Sequence, residues 1–221
     1  MAISRRALLK RIGVAGTAAV VPAPRPAPGG HDHADAQAPA APAAPREAYE
    51  TLTAAESDVL ESMTARLIPS DANGPGAKEA RAAHYIDRAL AGPLANFRSN
   101  YTTGLAAIDG YARSKKGAAF AQLSAVDQDA ILADVQSGSA SGFAAASSIF
   151  FALVRSHTIE GTFSDPYYGG NASFVGWDLI GYPGVRTSVS ANEQQMNTKI
   201  APNHRSAYDF AMFRKGGTDG R

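Results

Sequence analysis

The sequence predicts an all-α protein, with a single irregular domain of about five to six helices and a long C-terminal loop region rich in glycine and aromatic residues. Apolar residues recur at spacings of three and four from residue 53 to residue 158, which is the period of helices with one buried face. Runs rich in Gly, Pro and Ser separate these stretches. The chain contains no cysteine, so an apolar core must stabilise the domain without disulfide bonds.

The first two helices have clear start and stop signals. Thr53 and Glu56 have the spacing of a capping box, in which each side chain accepts a hydrogen bond from a free amide of the first turn. Pro69 ends the apolar periodicity that follows. A second amphipathic helix is predicted over residues 83–90, and the Gly92-Pro93 pair ends it.

Two more helices are predicted before the most apolar part of the chain. The first covers residues 97–112 and continues into a basic last turn that Gly117 ends. A short helical piece follows at residues 120–123. Ser124 then has the character of an N-cap for the next helix, and residues 137–142 form a loop of Ser, Gly and Ala.

The most apolar helix is predicted from Phe143 to about Thr158. Apolar side chains cover most of its circumference, so we expect it at the centre of the domain. From Glu160 to Gly184 the periodicity fails, and the chain becomes dense in Gly, Pro and aromatic residues. A long irregular region of this kind is more often functional than idle.

The N-terminus carries a separate signal, with a basic head, a weakly apolar run from Ile12 to Val21 and a proline-rich tail. The residues that form a twin-arginine export motif are Ser4, Arg5, Arg6, Leu8, Leu9 and Lys10. The apolar run has about half of the roughly 20 residues that a membrane-spanning helix needs, so we expect no stable membrane span. We expect the twin-arginine translocase to export the folded chain to the periplasm.

Composition sets the predicted domain boundaries. Residues 1–36 are predicted as the signal peptide, because residues 34–36 have the small-x-small pattern that signal peptidase recognises. Residues 37–50 are predicted as a disordered Ala/Pro-rich linker that cannot bury a core. The helical domain is predicted over residues 51–215.

Charge and motifs exclude several functions. Residues 1–36 hold five Lys or Arg and two Asp or Glu, which leaves 16 basic and 18 acidic residues in the remainder of the chain. The remainder therefore has no basic footprint for nucleic acid or anionic lipid. The absence of cysteine excludes thiolate zinc sites, iron–sulfur clusters and covalent haem. Phosphate-binding and dinucleotide-binding glycine motifs are also absent from the sequence, so we expect no cofactor in this chain.

Candidate functional residues are concentrated in residues 157–171, with the sequence HTIEGTFSDPYYGGN. His157 and Glu160 are three residues apart, so they could share a helix face as an acid–base pair or as half of a metal site. With Asp165 they are the weak catalytic candidates. Two ligands do not make a metal site, so none is predicted. The alternative is that His157, on the apolar face, is a hydrogen-bonded core histidine.

The aromatic residues of this region favour binding. Tyr and Trp are enriched in hot spots of interfaces, since they bury a large area and keep a polar group. The alternative is that these rings cover the helical core beneath the loop. The predicted interface residues are His157, Glu160, Asp165, Pro166, Tyr167, Tyr168, Gly169, Gly170, Asn171, Trp177 and Tyr182.

From residue 52 to residue 184 the sequence resembles the gluconate 2-dehydrogenase subunit 3 family. The motifs that carry the resemblance are LTAAESDVLESMTARLIP, FAQLSAVDQDAIL, HTIEGTFSDPYYGGN and GWDLIGYPG. It implies a noncatalytic small subunit beside a larger FAD-dependent flavoprotein of the glucose–methanol–choline type, which oxidises a sugar, sugar acid or polyol. A multihaem cytochrome c is the further partner implied. The resemblance also implies that the small subunit supplies the export signal and assists maturation of the flavoprotein.

Two other functions stay open from the sequence. In the first, His157, Glu160 or Asp165 reaches the mouth of the partner's active site and assists substrate binding or proton transfer. In the second, the chain is a free periplasmic carbohydrate-binding module that uses Tyr167, Tyr168 and Trp177.

Overall fold

The computed structural model describes residues 47–214, in which six α-helices and no strand are present. This confirms the predicted all-α class. The helices are α1 (Ala54–Leu67), α2 (Ala82–Leu90), α3 (Arg98–Lys116), α4 (Ala125–Ser137), α5 (Ser147–Phe163) and α6 (Val175–Ile180). The twin-arginine residues, the predicted cleavage position, most of the predicted linker and Lys215 lie outside the described residues.

The predicted capping signals coincide with helix ends in the structure. The Glu56 carboxylate accepts a hydrogen bond from the Thr53 amide at 2.8 Å, and the Thr53 hydroxyl accepts one from the Glu56 amide, which completes a capping box at α1. The Ser124 side chain caps α4. Gly117 and Gly138 end α3 and α4 in the left-handed conformation that glycine adopts readily.

Helix α5 is central, as its composition predicts. It packs against each of the other five helices of the described part. Phe150, Phe151 and Val154 are buried in the main hydrophobic cluster. Gly104 of α3 allows this packing, since a Cβ at that position would overlap the Phe150 ring.

The predicted start of α5 at Phe143 is wrong, because the helix begins at Ser147. The Ser147 hydroxyl donates a hydrogen bond to the Val135 carbonyl at 2.9 Å, which fixes the first turn of α5 against the end of α4. Phe143 packs on Phe150 at 6.0 Å between ring centroids from a position before the helix. An apolar residue that reaches the core from a turn has the same sequence pattern as one in the helix.

The predicted end of α5 near Thr158 is also wrong, because the helix continues to Phe163. Gly161 lies inside the helix and against α2, where a Cβ would stand 2.9 Å from the Ala82 Cα. Close packing therefore explains this glycine better than helix breaking does. The region predicted to be irregular after Glu160 thus contains the last turn of α5 and all of α6.

The segment that enters α1 is bound to α2 through the Asp87 carboxylate and to α3 through the Arg98 guanidinium. Asp87 of α2 is 3% exposed, and its carboxylate accepts hydrogen bonds from the amides of Thr51 and Leu52 at 2.9 and 2.8 Å. Arg98 of α3 donates to the Thr51 carbonyl and to Glu56, each at 2.9 Å. These contacts tie the start of the domain to its core.

We expect Glu56 to make stability depend on pH. Burial by itself raises the pKa of the Glu56 carboxyl, but hydrogen bonds from Arg98 and Thr53 outweigh burial and lower the pKa from 4.5 to about 2. A folded-state pKa below the unfolded value stabilises the fold fully above the unfolded pKa, and this stabilisation is lost as the pH falls towards the folded pKa.

Thermal unfolding between about pH 2 and pH 6 tests this expectation. Glu56→Gln should lower the Tm near pH 6, and it should make the fall in Tm below about pH 4.5 less steep. The control is Glu50→Gln, which removes an exposed carboxylate of the same segment. A fall in Tm that is as steep in Glu56→Gln as in the wild type would contradict the assignment.

Candidate functional site

The residues that follow α5 turn back and cap its C-terminal end. The last carbonyl groups of a helix have no partner within it and need one elsewhere. The Gly161 carbonyl accepts a hydrogen bond from the Asn171 amide at 2.7 Å, and the Phe163 carbonyl accepts one from Trp177 Nε1 at 2.9 Å. The Ser164 carbonyl accepts one from Asn171 Nδ2 at 2.8 Å. The segment from Ser164 to Trp177 is therefore a cap for the central helix.

Asn171 is the centre of this cap. It is completely buried, and its backbone is left-handed with φ at 44°, a conformation that Asn tolerates better than most residues. Its Oδ1 accepts a hydrogen bond from the Gly176 amide at 2.8 Å. The Asn171 side chain thus bonds to Ser164, earlier in the sequence, and to Gly176, later in the sequence.

Two glycines make the close approach possible. A Cβ on Gly170 would overlap the Gly161 carbonyl oxygen, and a Cβ on Gly176 would overlap the Thr162 carbonyl oxygen. The second glycine of the YYGGN run and the glycine of the GW run are therefore explained by backbone packing against the last turn of α5.

His157 lies in the interior, 5% exposed. Its Nδ1 is 2.9 Å from the Tyr101 hydroxyl, and the Phe97 ring packs edge-on at 5.6 Å between centroids. Burial lowers the pKa of His157, and the charge of Glu160 opposes this shift. Burial also raises the pKa of Tyr101, so both rings are neutral near neutral pH. This is the geometry of a hydrogen-bonded core histidine.

Glu160 is exposed and bonds to groups other than His157. Its carboxylate accepts hydrogen bonds from the Tyr85 hydroxyl at 3.3 Å and from the Ser156 hydroxyl at 3.4 Å. Within residues 47–214 no group of three or more His, Cys, Asp or Glu side chains is placed to hold a metal ion. His157 and Glu160 therefore share a helix but have separate hydrogen-bond partners.

Asp165 connects the cap to a C-terminal segment that sequence reasoning missed. Asp165 Oδ1 accepts a hydrogen bond from the Ser206 hydroxyl at 2.6 Å, and Oδ2 accepts one from the Ala207 amide at 2.9 Å. Ser206 and Asp209 form a capping box at the short 3-10 helix Ala207–Asp209. The S-x-x-D spacing of this box is the sequence signal that indicates the turn.

Tyr208, which is half-buried, completes a tyrosine cluster with the exposed Tyr167 and Tyr168. The rings of Tyr208 and Tyr167 stack at 3.6 Å between centroids, and the hydroxyls of Tyr208 and Tyr168 are 2.9 Å apart. An open groove of about 830 Å³ lies beside the cluster, between Tyr167 and Phe213. The cluster is thus held in place by the C-terminal segment.

The structure divides the predicted interface residues by exposure. Four of them are buried by the chain itself: His157, Gly170, Asn171 and Trp177. Three are half-buried: Asp165, Pro166 and Gly169. The exposed ones are Glu160, Tyr167, Tyr168 and Tyr182. In this fold, these four exposed side chains are the predicted interface residues most accessible to a partner protein.

Large exposed apolar side chains are concentrated in the same half of the domain. Before residue 158 of the described part, the large exposed apolar residues are Val126 and Ile149. After it they are Ile159, Tyr167, Tyr168, Ile180, Tyr182, Val189, Met196, Met212 and Phe213. Among residues 47–214, no helix has both the length and the apolar character for crossing a bilayer.

Comparison with known families gives one finding. The family model described as gluconate 2-dehydrogenase subunit 3 matches residues 54–184, which is more than half of the 221-residue chain. The match includes all six helices and the whole cap of α5, and it ends before the segment that carries Tyr208. Neither curated proteins nor solved structures gave a significant match.

We expect Asn171→Ala to destabilise the domain. The change leaves the Gly176 amide and the Ser164 carbonyl without their partner, and one such buried group costs about 1–3 kcal/mol. The control is Ser173→Ala, an exposed position that is also left-handed, with φ at 54°. Urea unfolding should show a loss of about 3 kcal/mol for Asn171→Ala and no more than about 1 kcal/mol for Ser173→Ala. Similar losses in both variants would contradict the capping role.

A double-mutant cycle tests the pairing of His157 with Tyr101. His157→Leu and Tyr101→Phe should each cost about 1–3 kcal/mol, because each leaves a buried polar group unpaired. The double variant should lose less than the sum, with a coupling of about 1 kcal/mol. Additive losses would show that the two side chains do not interact.

The same variants should differ in their response to pH. The pKa of His157 is lower in the folded state than in the unfolded state, so the wild type loses stability as the pH falls below the unfolded value of 6.5. His157→Leu should lack this loss between about pH 7 and pH 5 in urea unfolding, whereas Tyr101→Phe should keep it.

Proposed function

Because the chain belongs to the gluconate 2-dehydrogenase subunit 3 family, we propose that it is the noncatalytic accessory subunit of a periplasmic dehydrogenase complex. Its role is to supply the export signal and to support the maturation and stability of a larger flavoprotein subunit. The family implies a larger dehydrogenase partner for this chain.

The observation that supports a noncatalytic role is that the polar groups of His157, Asp165 and Trp177 are hydrogen-bonded within the chain. His157 is paired with Tyr101, Asp165 with the Ser206 segment and Trp177 with the Phe163 carbonyl. What the region offers to another molecule is an aromatic and apolar surface centred on the tyrosine cluster. Exposed apolar patches of this kind are typical of protein–protein contacts.

The proposed partner is an FAD-dependent oxidoreductase of the glucose–methanol–choline type that oxidises a sugar, sugar acid or polyol. FAD belongs to that subunit, and a multihaem cytochrome c accepts its electrons. The motif from Ser4 to Lys10 would take the complex through the twin-arginine translocase, which carries folded cargo. A flavoprotein that must bind FAD before export would need such a route.

Two alternatives receive less support from the geometry. In the first, His157, Glu160 or Asp165 assists the partner's active site. His157 is 5% exposed and bonded to Tyr101, and the Asp165 carboxylate is bonded to Ser206. Glu160 is the exposed member of the three.

In the second, a carbohydrate-binding module would use Tyr167, Tyr168 and Trp177, and of these three rings that of Trp177 is buried. That ring is also 5% exposed, and its Nε1 donates to Phe163.

Co-expression of this chain with the flavoprotein proposed as its partner tests the proposal. With the wild-type chain, both subunits and the dehydrogenase activity should be periplasmic. The double variant Arg5→Lys, Arg6→Lys should keep both subunits in the cytoplasm and should lower the periplasmic dehydrogenase activity by about tenfold or more. Arg25→Lys, a leader position outside the motif, is the matched control. A flavoprotein that is exported and fully active without this chain would refute the proposal.

A further inference from the structure

We propose that a loop beyond the family match makes a second contact with the large dehydrogenase subunit. The loop comprises residues 186–202 and is called the clipped loop below. This inference rests on the proposed function, because the occupant of the contact is the same flavoprotein. It assigns partner binding to a segment that the family match does not include, because that match ends at residue 184.

The two ends of the clipped loop are joined by backbone hydrogen bonds. The Asn203 amide donates to the Pro183 carbonyl and the Val185 amide donates to the Arg205 carbonyl, both at 3.0 Å. Asn203 Nδ2 also donates to the Val185 carbonyl at 2.9 Å. The loop therefore leaves and returns at one place, as compact surface loops do.

The interior of the loop is fixed by Arg186. Its guanidinium donates to Glu193 at 3.0 Å and to the Ala201 carbonyl at 2.6 Å, which links the two arms of the loop. Glu193 in turn accepts a hydrogen bond from the Ser190 amide at 2.8 Å. A loop that is already ordered has little conformational entropy to lose when it binds.

The clipped loop presents apolar side chains to solvent. Met196 is 90% exposed, the largest exposure among the large apolar residues of the described part, and Val189 is 45% exposed. Methionine is enriched at interfaces, because its unbranched and polarisable chain adapts to an apolar recess. A fixed loop with an exposed Met at its surface is suited to insertion into such a recess.

The base of the loop is anchored to the surface already proposed for the partner. The His204 ring stacks on Phe174 at 5.1 Å, and His204 Nε2 lies 2.8 Å from Asp178 of α6. Ser206 follows and bonds to Asp165, which leads directly to the tyrosine cluster. The base of the loop and the tyrosine cluster are therefore connected through the His204–Ser206 segment.

Charge indicates the chemistry of the partner's surface. Residues 181–214 contain four Lys or Arg and two Asp or Glu, whereas residues 47–180 contain nine and 15. The C-terminal segment is thus basic on an acidic body, and Lys199 of the loop is exposed. The surface that fits it is an apolar recess with an acidic rim on the flavoprotein.

Affinity measurements with purified proteins test the inference. The full-length chain and its variants are titrated against the purified flavoprotein at about 0.15 M salt. Met196→Ser should weaken binding by about tenfold and Met196→Leu by less than about threefold, since leucine restores apolar volume. Val126→Ser removes an apolar side chain that is 74% exposed on α4 and should leave the affinity unchanged. The Tm of Met196→Ser should equal that of the wild type, which excludes a folding defect.

The outcomes separate this inference from the accessory role. Tight binding by the wild type that Met196→Ser does not change would overturn the inference and leave the accessory role standing. Equal losses in Met196→Ser and Val126→Ser would overturn it as well, as would self-association of the wild-type chain that Met196→Ser abolishes. A wild-type chain that does not bind the flavoprotein would overturn both proposals.

Discussion

The cap on the C-terminal end of α5 is the constraint on which the rest of this structure depends. Asn171 and Trp177 satisfy carbonyl groups at the end of a helix that contacts the other five helices of residues 47–214. Because Gly161 is buried and Phe163 and Ser164 are half-buried, each of their carbonyls would cost about 1–3 kcal/mol if it were left unpaired. The chain between Ser164 and Trp177 is therefore held at both ends, and the conformation of its exposed part follows from the hydrogen bonds of its buried part.

This arrangement lets one short segment perform two tasks. The side chains of Asn171 and Trp177 face inward and are used by the fold. Tyr167 and Tyr168 lie in the turn and face solvent. Asp165 joins the two, because its carboxylate accepts one hydrogen bond from the Tyr167 amide at the start of one turn and another from the Ser206 hydroxyl of the next. An ordered aromatic surface results without an α-helix or a sheet of its own, and an ordered contact surface loses less entropy on binding.

Local interactions explain which features could be predicted from the sequence. The boundaries at Thr53 and Gly117 follow from capping, which involves only neighbouring residues, and the structure has them as predicted. The end of α5 could not be predicted, because the helical state of Gly161 depends on its contact with α2. The spacing to Leu153 places His157 on an apolar face, but its partner Tyr101 is 56 residues away. The docking of Ser206 on Asp165 spans 41 residues, and no periodicity in the sequence reports it.

The same contacts link the interior of the domain to the proposed binding of its partner. The clipped loop has no helix of its own and is positioned through Asp178 of α6 and Asp165 of the cap, and both of these depend on the bonds that Asn171 makes. A partner that binds Met196 and the tyrosine cluster together would favour the conformation in which the cap is intact. By linkage, a change that destabilises the cap must weaken the binding of such a partner, even though Asn171 is buried and does not touch the partner. The glycines and the asparagine of the cap would thus contribute to assembly through the geometry that they impose on the residues around them.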